Sequence, residues 1–287
     1  PSYQIENLAY GNLDANIATS PRVAQPMIGL GLLESIHAVD ILNLADPDDE
    51  NEDGISGRPS WIYQSGERVL GRFGWKASTA SVRDQTISAF LTDMGLSTAE
   101  NSMPWGDCTS EQASCRAAPH GDNSAGVEVQ MKFLDFVTFY SKNLAVPIRR
   151  KVDDPEVLVG KKGFFDAGCA SCHTPKFVTS RDAEDEAHRF QLIWPYTDLL
   201  LHDMGESLAD NRASGSANGR EWRTPPLWGI GLTKQVSGHT NFLHDGRARN
   251  LLEAVLWHGG EAQISKERVV NMTPSERESL LKFLESL

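Results

Sequence analysis

One short stretch of the chain combines two thiols and an imidazole at a spacing that suits a specific chemistry. Cys169 and Cys172 are separated by two residues, and His173 follows directly. Two thiols at this spacing can bond to the two vinyl groups of a haem, and the adjacent imidazole can then bind its iron. A zinc site would need a second ligand pair, and the sequence has no other Cys-x-x-Cys; a thioredoxin-like pair would follow a strand rather than a helix-like segment. The stretch therefore predicts one covalently attached c-type haem, with His173 as an axial ligand.

The iron of a haem has a second axial position, and whether a side chain fills it separates electron transfer from reactivity. The side chains downstream of the motif that could bind there are His188, His202, Met204, His239, His244 and His258. Met204, in a His-Asp-Met-Gly stretch, resembles the methionine ligand of small cytochromes c. His258 lies on the apolar face of a helix predicted to begin at Asn250, where a histidine can equally be a packing residue. The spacing alone does not choose between these two residues.

Helices are predicted on both sides of the cysteine pair. Pro155 suits the first turn of a helix that runs to Ala167 and carries the motif at its end. The helix that carries His258 stops at a Gly-Gly pair. The last helix is marked by a capping box, with Thr273 as N-cap and Glu276 three residues later. Its inner stripe consists of Leu280, Leu281, Leu284 and Leu287.

The part of the chain before residue 149 offers fewer elements. Residues 61–74 predict a β-hairpin with a Ser-Gly turn, and residues 81–94 and 128–144 have apolar residues at helical spacing. The apolar face expected for the second of these helices consists of Val129, Phe133, Phe136, Val137, Tyr140 and Leu144. The sequence as a whole predicts a mainly α fold with long irregular loops.

The composition limits the classes of function and partner. The 287 residues are 40% hydrophobic and 23% charged, which is ordinary for a globular protein. The net charge of −12 argues against nucleic acid or an anionic membrane as partner, and fits a small cationic redox protein only weakly. No apolar run approaches the length of a membrane span. The chain begins at Pro1 without an initiating methionine or a signal peptide, so we expect a processed or truncated product.

The two remaining cysteines lie in a polar loop, with six residues between Cys108 and Cys115. They could form a loop disulfide or remain as two free thiols, and the loop favours the disulfide. Covalent haem and a disulfide both indicate an oxidising compartment, so the sequence predicts a periplasmic or otherwise extracytoplasmic protein.

A strongly acidic loop between residues 46 and 58 has the spacing of a Ca²⁺ site. Asp49, Asn51, Asp53 and Gly54 fit the first, third, fifth and sixth positions of a calcium-binding loop. The twelfth position holds serine rather than glutamate, so this is not a complete EF-hand, and a solvated acidic turn is the alternative. The residues whose oxygen atoms could bind Ca²⁺ are Asp46, Asp48, Asp49, Asn51 and Asp53.

Several segments resemble known haem proteins. The Arg-Thr-Pro-Pro-Leu stretch that starts at Arg223, together with the two segments that follow it, resembles the C-terminal half of bacterial di-haem cytochrome c peroxidases. The whole chain is similar to the related di-haem oxidoreductases, a peroxidase-like family also called thiol oxidoreductases. This resemblance implies His258 as the second axial ligand, a bis-histidine haem of lowered potential, and Met204 as the alternative ligand. Arg223 would be well placed to pair a haem propionate. The segments that carry the resemblance are 20–24, 46–58, 71–77, 221–229, 241–246 and 250–255.

In the proteins that the chain resembles, one haem receives electrons and passes them to a second haem, where hydrogen peroxide is reduced. The resemblance therefore implies an N-terminal region, residues 1–148, that faces the peroxidatic haem, and a cytochrome c-like helical haem domain, residues 149–287. Within the first region it implies Trp75 as an electron relay between the haems. It also implies Asp93 as the acid–base group for peroxide cleavage.

The chain departs from the family in two respects. Members have two Cys-x-x-Cys-His motifs, whereas this chain has one, so the second haem is expected on a segment before Pro1 or on another chain. The acidic residue is also closer to Trp75 than in the family, and Asp93 replaces a glutamate. The favoured expectation is a periplasmic, peroxidase-like c-type haem oxidoreductase that takes electrons from a small redox protein. The alternative is a non-catalytic, single-haem electron-transfer cytochrome c.

Overall fold

The computed structural model describes residues 3–287, so the chain start at Pro1 lies outside the described residues. The α-helices, in chain order, are α1 (Leu30–Glu34), α2 (Ala38–Leu42), α3 (Val82–Thr92), α4 (Ala113–Arg116), α5 (Met131–Lys142), α6 (Pro155–Asp166), α7 (Thr233–Ser237), α8 (Leu251–Trp257), α9 (Gln263–Val270) and α10 (Pro274–Ser286). The strands are β1 (Trp61–Gln64), β2 (Glu67–Leu70), β3 (Phe177–Val178), β4 (Leu192–Ile193), β5 (Leu201–Asp203) and β6 (Glu221–Arg223). They form antiparallel pairs, β1 with β2, β3 with β4 and β5 with β6.

The prediction of a mainly α fold is wrong. α-Helices and short 3₁₀ turns together hold 34% of the residues, and strands with isolated β-bridges hold 9%, so most of the chain runs through loops and turns. Between residues 195 and 250, aspartate side chains accept hydrogen bonds from backbone N–H groups two residues further on. Such bonds join Asp198 to Leu200 over 2.9 Å and Asp210 to Arg212 over 3.0 Å. These local bonds satisfy the backbone in turns, and they compete with helix formation.

The predicted hairpin is confirmed. β1 and β2 pair in antiparallel register, with Gln64 opposite Glu67. The turn residues Ser65 and Gly66 have φ values of 53° and 86°. Two consecutive positive φ values are those of a type I′ turn, whose twist matches that of the flanking strands.

The helices predicted before residue 149 are present, but α5 buries a different face from the one expected. The residues that it buries are Leu134, Thr138 and Ser141. α5 packs against α1 and α3, and this packing, rather than the aromatic content of each face, selects the buried side. The members of the expected apolar face that lie within α5 are turned to solvent, with exposed fractions of 50% for Phe133, 66% for Phe136, 38% for Val137 and 63% for Tyr140, whereas Val129, before the helix, is buried.

Two helices, α6 and α10, organise the region around the cysteine motif. α6 has Asp154 as its N-cap and Pro155 in its first turn. α10 begins with the predicted capping box, in which Thr273 and Glu276 exchange side chain-to-backbone hydrogen bonds. The helices pack on each other, and their shared core includes Val157, Phe164, Leu280, Phe283 and Leu284.

Replacing Thr273 by alanine should lower the free energy of unfolding by about 1 kcal/mol, because the N-cap side chain satisfies an otherwise unpaired N–H of the first turn. The midpoint of urea unfolding measures this change. Thr109→Ala is a suitable control, since Thr109 is exposed and its hydroxyl bonds to no described residue. Equal losses in the two variants would contradict the role of the capping box.

Packing crosses the boundary predicted between residues 148 and 149. Arg58 and Leu201 form a β-bridge with N–H···O distances of 3.0 and 2.9 Å. Because these contacts do not separate the chain into two units, the division into residues 1–148 and 149–287 stays a prediction. One core cluster draws on both sides of the boundary and includes Leu33, Ile36, Phe73, Val82, Leu199, Leu200 and Trp228.

Candidate functional site

The two cysteines of the motif lie on a short 3₁₀ turn directly after α6. The turn spans Cys169–Ser171 and follows Gly168, whose φ of 84° ends the helix. The His173 N–H donates to the Cys169 carbonyl over 2.9 Å, so the imidazole belongs to the same turn as the thiols. Neither Cys169 nor Cys172 is in a disulfide. The turn thus presents two unpaired thiols beside one imidazole.

His173 and His258 are each oriented by a backbone carbonyl. Nδ1 of His173 lies 2.9 Å from the carbonyl oxygen of Tyr196, and Nδ1 of His258 lies 2.7 Å from that of Ala254. A carbonyl at Nδ1 fixes the proton there and leaves the lone pair of a neutral ring on Nε2. Nε2 of each ring has no hydrogen-bond partner among residues 3–287. Both rings are therefore prepared to bind a metal through Nε2.

The two rings also share an environment that favours the neutral imidazole. Burial lowers the pKa of His173 to about 4, and the nearby His258 acts in the same direction. Burial likewise lowers the pKa of His258. Neutral imidazole is the form that binds metals. The surroundings of both predicted axial residues thus favour the neutral imidazole, and His173 lies directly after the cysteine turn.

Met204, the alternative axial ligand, lies beside the segment that carries His258. It follows β5 and is partly buried, and a Cβ atom added to Gly259 would lie 3.1 Å from its carbonyl oxygen. His188 is placed differently, because its ring is buried against the backbone of Gly31 in α1. Met204 therefore remains the alternative to His258, and His188 belongs to the core around α1.

Arg223 ends β6 and is 4% exposed. Its Nε donates to the Gly74 carbonyl over 3.0 Å and its Nη1 to the Thr224 carbonyl over 2.9 Å. Burial lowers its pKa to about 10, and the negative charge of Asp198 acts in the opposite direction. No carboxylate of the described residues forms a salt bridge with this guanidinium. A buried cation without an ion-pair partner fits an anionic group such as a haem propionate.

Two unpaired thiols, two imidazoles with free Nε2 atoms and a buried guanidinium together fit a haem. The sequence model of the family described as "Di-haem oxidoreductase, putative peroxidase" matches residues 2–287. This chain belongs to the di-haem oxidoreductase family. No curated protein is significantly similar to it in sequence. A solved chain of Kuenenia stuttgartiensis hydrazine synthase, pressurised with xenon, is 15% identical, with a TM-score of 0.37 and coverage of 100% of this chain and 98% of that chain. A TM-score this low does not establish a shared fold.

Trp75 belongs to an aromatic cluster. Its Nε1 donates to the Val23 carbonyl over 2.9 Å, and its ring meets His244 edge-on at 6.5 Å between centroids. His244 in turn stacks on Trp222 at 3.7 Å. The Trp75 carbonyl accepts a hydrogen bond from the Arg223 N–H over 2.9 Å. Trp75 is therefore in direct contact with the residue whose guanidinium has no carboxylate partner.

Asp93 is not part of this cluster. It is the C-cap residue of α3, it is exposed, and its carboxylate lies beside the hydroxyl of Thr92. Asp93 and Trp75 share no hydrogen-bond or aromatic partner in the described part of the chain. The structure does not join these two residues in one site.

The acidic loop uses its oxygen atoms within itself. The Asp46 carboxylate accepts a hydrogen bond from the Glu50 N–H over 2.9 Å, and the Asp49 carboxylate accepts one from the Gly54 N–H over 3.1 Å. Across residues 3–287, no group of three or more His, Cys, Asp or Glu side chains is arranged to hold a metal ion. The Ca²⁺ site therefore stays a prediction.

Cys108 and Cys115 are joined by a disulfide, with their Cα atoms 6.2 Å apart. The disulfide encloses most of the short helix α4. Arg116, at the end of α4, places its guanidinium over the Trp105 ring at 4.6 Å. The predicted disulfide loop is therefore a locally packed unit, distant in sequence from the haem motif.

His202, one of the side chains that could bind iron, is instead held between two carboxylates. Its Nε2 lies 2.8 Å from Asp198 and its Nδ1 2.7 Å from Glu261. Burial alone would lower the pKa of His202, but Asp198 and Cys172 together outweigh it and hold the pKa well above its usual value. The i,i+4 spacing of Asp198 and His202 is the one sequence signal for this arrangement. Glu261 is 59 residues from His202, so spacing could not connect them.

Proposed function

We propose that this chain is the c-type haem electron-transfer unit of a peroxidase-like oxidoreductase. Cys169 and Cys172 hold the haem through thioether bonds, and His173 and His258 are its axial ligands. The observation that carries the proposal is the matched orientation of the two imidazoles, each with Nδ1 on a carbonyl and Nε2 free, together with two unpaired thiols on the turn next to His173. The buried guanidinium of Arg223 pairs a propionate.

A haem bound by these residues supplies a one-electron redox centre. Two histidine ligands leave no open position for peroxide, so the role assigned to this site is electron transfer. The proposal places the reduction of hydrogen peroxide at a second haem, on a preceding segment or a partner chain. A small redox protein is the electron donor. Trp75 is the relay residue, because its backbone carbonyl accepts a hydrogen bond from the backbone N–H of Arg223.

A second candidate function is that of a non-catalytic, single-haem electron-transfer cytochrome c. The exposed position of Asp93, which shares no hydrogen-bond or aromatic partner with Trp75 among the described residues, favours it. In the peroxidase-like function, Asp93 is the acid–base group for peroxide cleavage and must face the second haem. The two functions therefore differ in whether Asp93 faces a second haem at which peroxide is cleaved.

We propose an extracytoplasmic, periplasmic location, because c-type attachment and the Cys108–Cys115 disulfide both suit an oxidising compartment. Among the helices of residues 3–287, none has both the length and the apolar character needed to span a bilayer. We assign haem binding to residues 149–287. Residues 1–148 contribute Trp75, Asp93 and the disulfide loop.

The chain, produced together with a c-type haem maturation system, should carry one covalent haem. Intact mass gives the number of haems, the reduced pyridine spectrum identifies thioether attachment, and electron paramagnetic resonance of the ferric protein should show a low-spin signal. Cys172→Ala should lose the two-thioether spectrum. The double variant Cys108→Ser/Cys115→Ser removes cysteines outside the motif and should retain that spectrum.

Four outcomes test the two functions. Absence of haem from the unmodified chain would contradict both. Peroxide turnover by the chain alone, with a reduced donor, would overturn the electron-transfer role of this site. Turnover that appears only when the second haem-bearing segment is supplied supports the peroxidase-like function, and its absence even then supports the cytochrome.

A further inference from the structure

A buried chain of charges connects the acidic loop to the segment that carries His258. It consists of Asp198, His202 and Glu261, which we call the carboxylate–histidine network. Their side chains are 2%, 3% and 9% exposed, respectively. Burying charged side chains this completely costs free energy unless each charge is paired. The presence of three such side chains together therefore points to a functional role.

Glu261 is the residue that ties separate segments together. It follows His258 by three residues. Its two oxygen atoms accept hydrogen bonds from the Ser56 N–H (3.1 Å), the Ser56 hydroxyl (3.0 Å) and the Asp203 N–H (2.8 Å), in addition to His202. Ser56 belongs to the acidic loop and Asp203 to β5. One carboxylate therefore fastens two distant segments to the backbone next to His258.

His202 holds a positive charge at a fixed position. Both of its ring nitrogens face a carboxylate oxygen, so both carry a proton that they donate. Its Nδ1 is also 3.6 Å from Sγ of Cys172. The ring has no room to move toward the loop, because a Cβ atom at Gly57 would lie only 2.7 Å from its Cε1. The imidazolium is therefore held beside one of the two haem-attachment residues.

We infer that the carboxylate–histidine network is a positioning device for the haem. It fixes the backbone that carries His258 and sets the electrostatic potential beside Cys172. This inference rests on the proposed function. His202 and Glu261 are positioning residues in this arrangement, since neither binds the iron. The acidic loop gains a role that needs no calcium, which is to hold Glu261 through Ser56.

The electrostatic part of the inference is tested by the direction in which two substitutions shift the ratio of ferrous to ferric protein. His202→Gln removes a positive charge and should stabilise the ferric state, while Glu261→Gln removes a negative charge and should stabilise the ferrous state. At a fixed ambient potential, the ratio of ferrous to ferric protein should fall about tenfold in the first variant and rise about tenfold in the second, a shift of about 59 mV for a one-electron couple. His188→Gln, at a buried histidine packed against α1, should leave the ratio unchanged. Loss of packing alone would move both network variants in the same direction, and that result would overturn the inference.

Hydrogen exchange tests the fastening part without depending on haem. Glu261→Gln weakens the acceptor of the Ser56 and Asp203 amides, so these two amides should exchange at least about tenfold faster than in the unmodified chain, with no such change in His188→Gln. Unchanged exchange at both amides would overturn the inference even if the potentials shift. Absence of haem from the unmodified chain would instead refute the proposed function, and the exchange result would still decide whether the network fastens the segment that carries His258.

Discussion

His258→Met is expected to raise the reduction potential of the haem by roughly 100 mV or more, within the range of about 0.8 V that axial ligands span. Imidazole donates more strongly to ferric iron than a thioether does, so its replacement destabilises the ferric state. Spectroelectrochemical titration measures the shift. An unchanged potential would contradict the assignment of His258 as the second axial ligand.

His258→Ala should have a different effect, because it removes the ligand without supplying another. We expect the ferric protein to change from a low-spin to a high-spin spectrum, and added imidazole should restore the low-spin form. The vacated position should also give the chain peroxide reactivity that it lacks when unmodified. A low-spin spectrum that persists in this variant would mean that another side chain binds the iron.

Met204→Leu is the matched control for both His258 variants. Leucine has nearly the volume of methionine but cannot bind iron, so packing is retained while the alternative ligand is lost. We expect the spectrum and the potential to stay unchanged, because the ring of His258, anchored to the Ala254 carbonyl over 2.7 Å, is the one prepared for ligation. A high-spin spectrum in Met204→Leu, with His258→Ala unaffected, would reverse the assignment.

Whether the sequence predicts a contact in this site depends on how far apart the two contacting residues lie along the chain. His258 and the carbonyl that orients it, at Ala254, are one helical turn apart, so a helix pattern places both. The carbonyl that orients His173 belongs to Tyr196, 23 residues away, where the backbone adopts a φ of 53° that no propensity for tyrosine indicates. Glu261 reaches His202 across a still longer interval. Such partners are set by the packing of the whole chain.

The same distinction applies to the fold: elements formed within a few residues are predicted from the sequence, and features set by distant contacts are not. The capping box at Thr273 and the turn at Ser65 are complete within a few residues, and both are readable from sequence. The buried face of α5 depends on how the helix packs against α1 and α3. This packing buries Leu134 and leaves the larger Phe136 exposed. The loop-rich middle of the chain is stabilised by many hydrogen bonds between side chains and nearby backbone groups. Each of these bonds involves only a few residues, so none of them predicts a fold class. Helical periodicity therefore identified helices correctly while overstating their share of the molecule.

Gly160→Ala is expected to lower the free energy of unfolding by about 2 kcal/mol or more. Gly160 lies where α6 meets α10, and a Cβ atom there would overlap the backbone carbonyl of Ser279 and press on Cβ of Phe283. Backbone cannot move aside as a flexible side chain can, so the helices must separate. The cost of this overpacking exceeds the gain of about 1 kcal/mol that alanine gives over glycine inside a helix. Urea unfolding measures the net change.

The same helix supplies the control. Gly163→Ala makes the identical chemical change one turn later, where the nearest atom is the terminal methyl of Met272 at an ordinary 3.5 Å, so stability should be unchanged or slightly higher. Separation of α6 from α10 should also reach the haem site, because Phe164 of α6 packs on Phe283 at 5.3 Å and on His173 at 6.3 Å between centroids. Gly160→Ala should therefore perturb the low-spin signal as well as stability, whereas Gly163→Ala should leave both intact. Equal behaviour of the two variants would show that close contact between α6 and α10 does not control the position of His173.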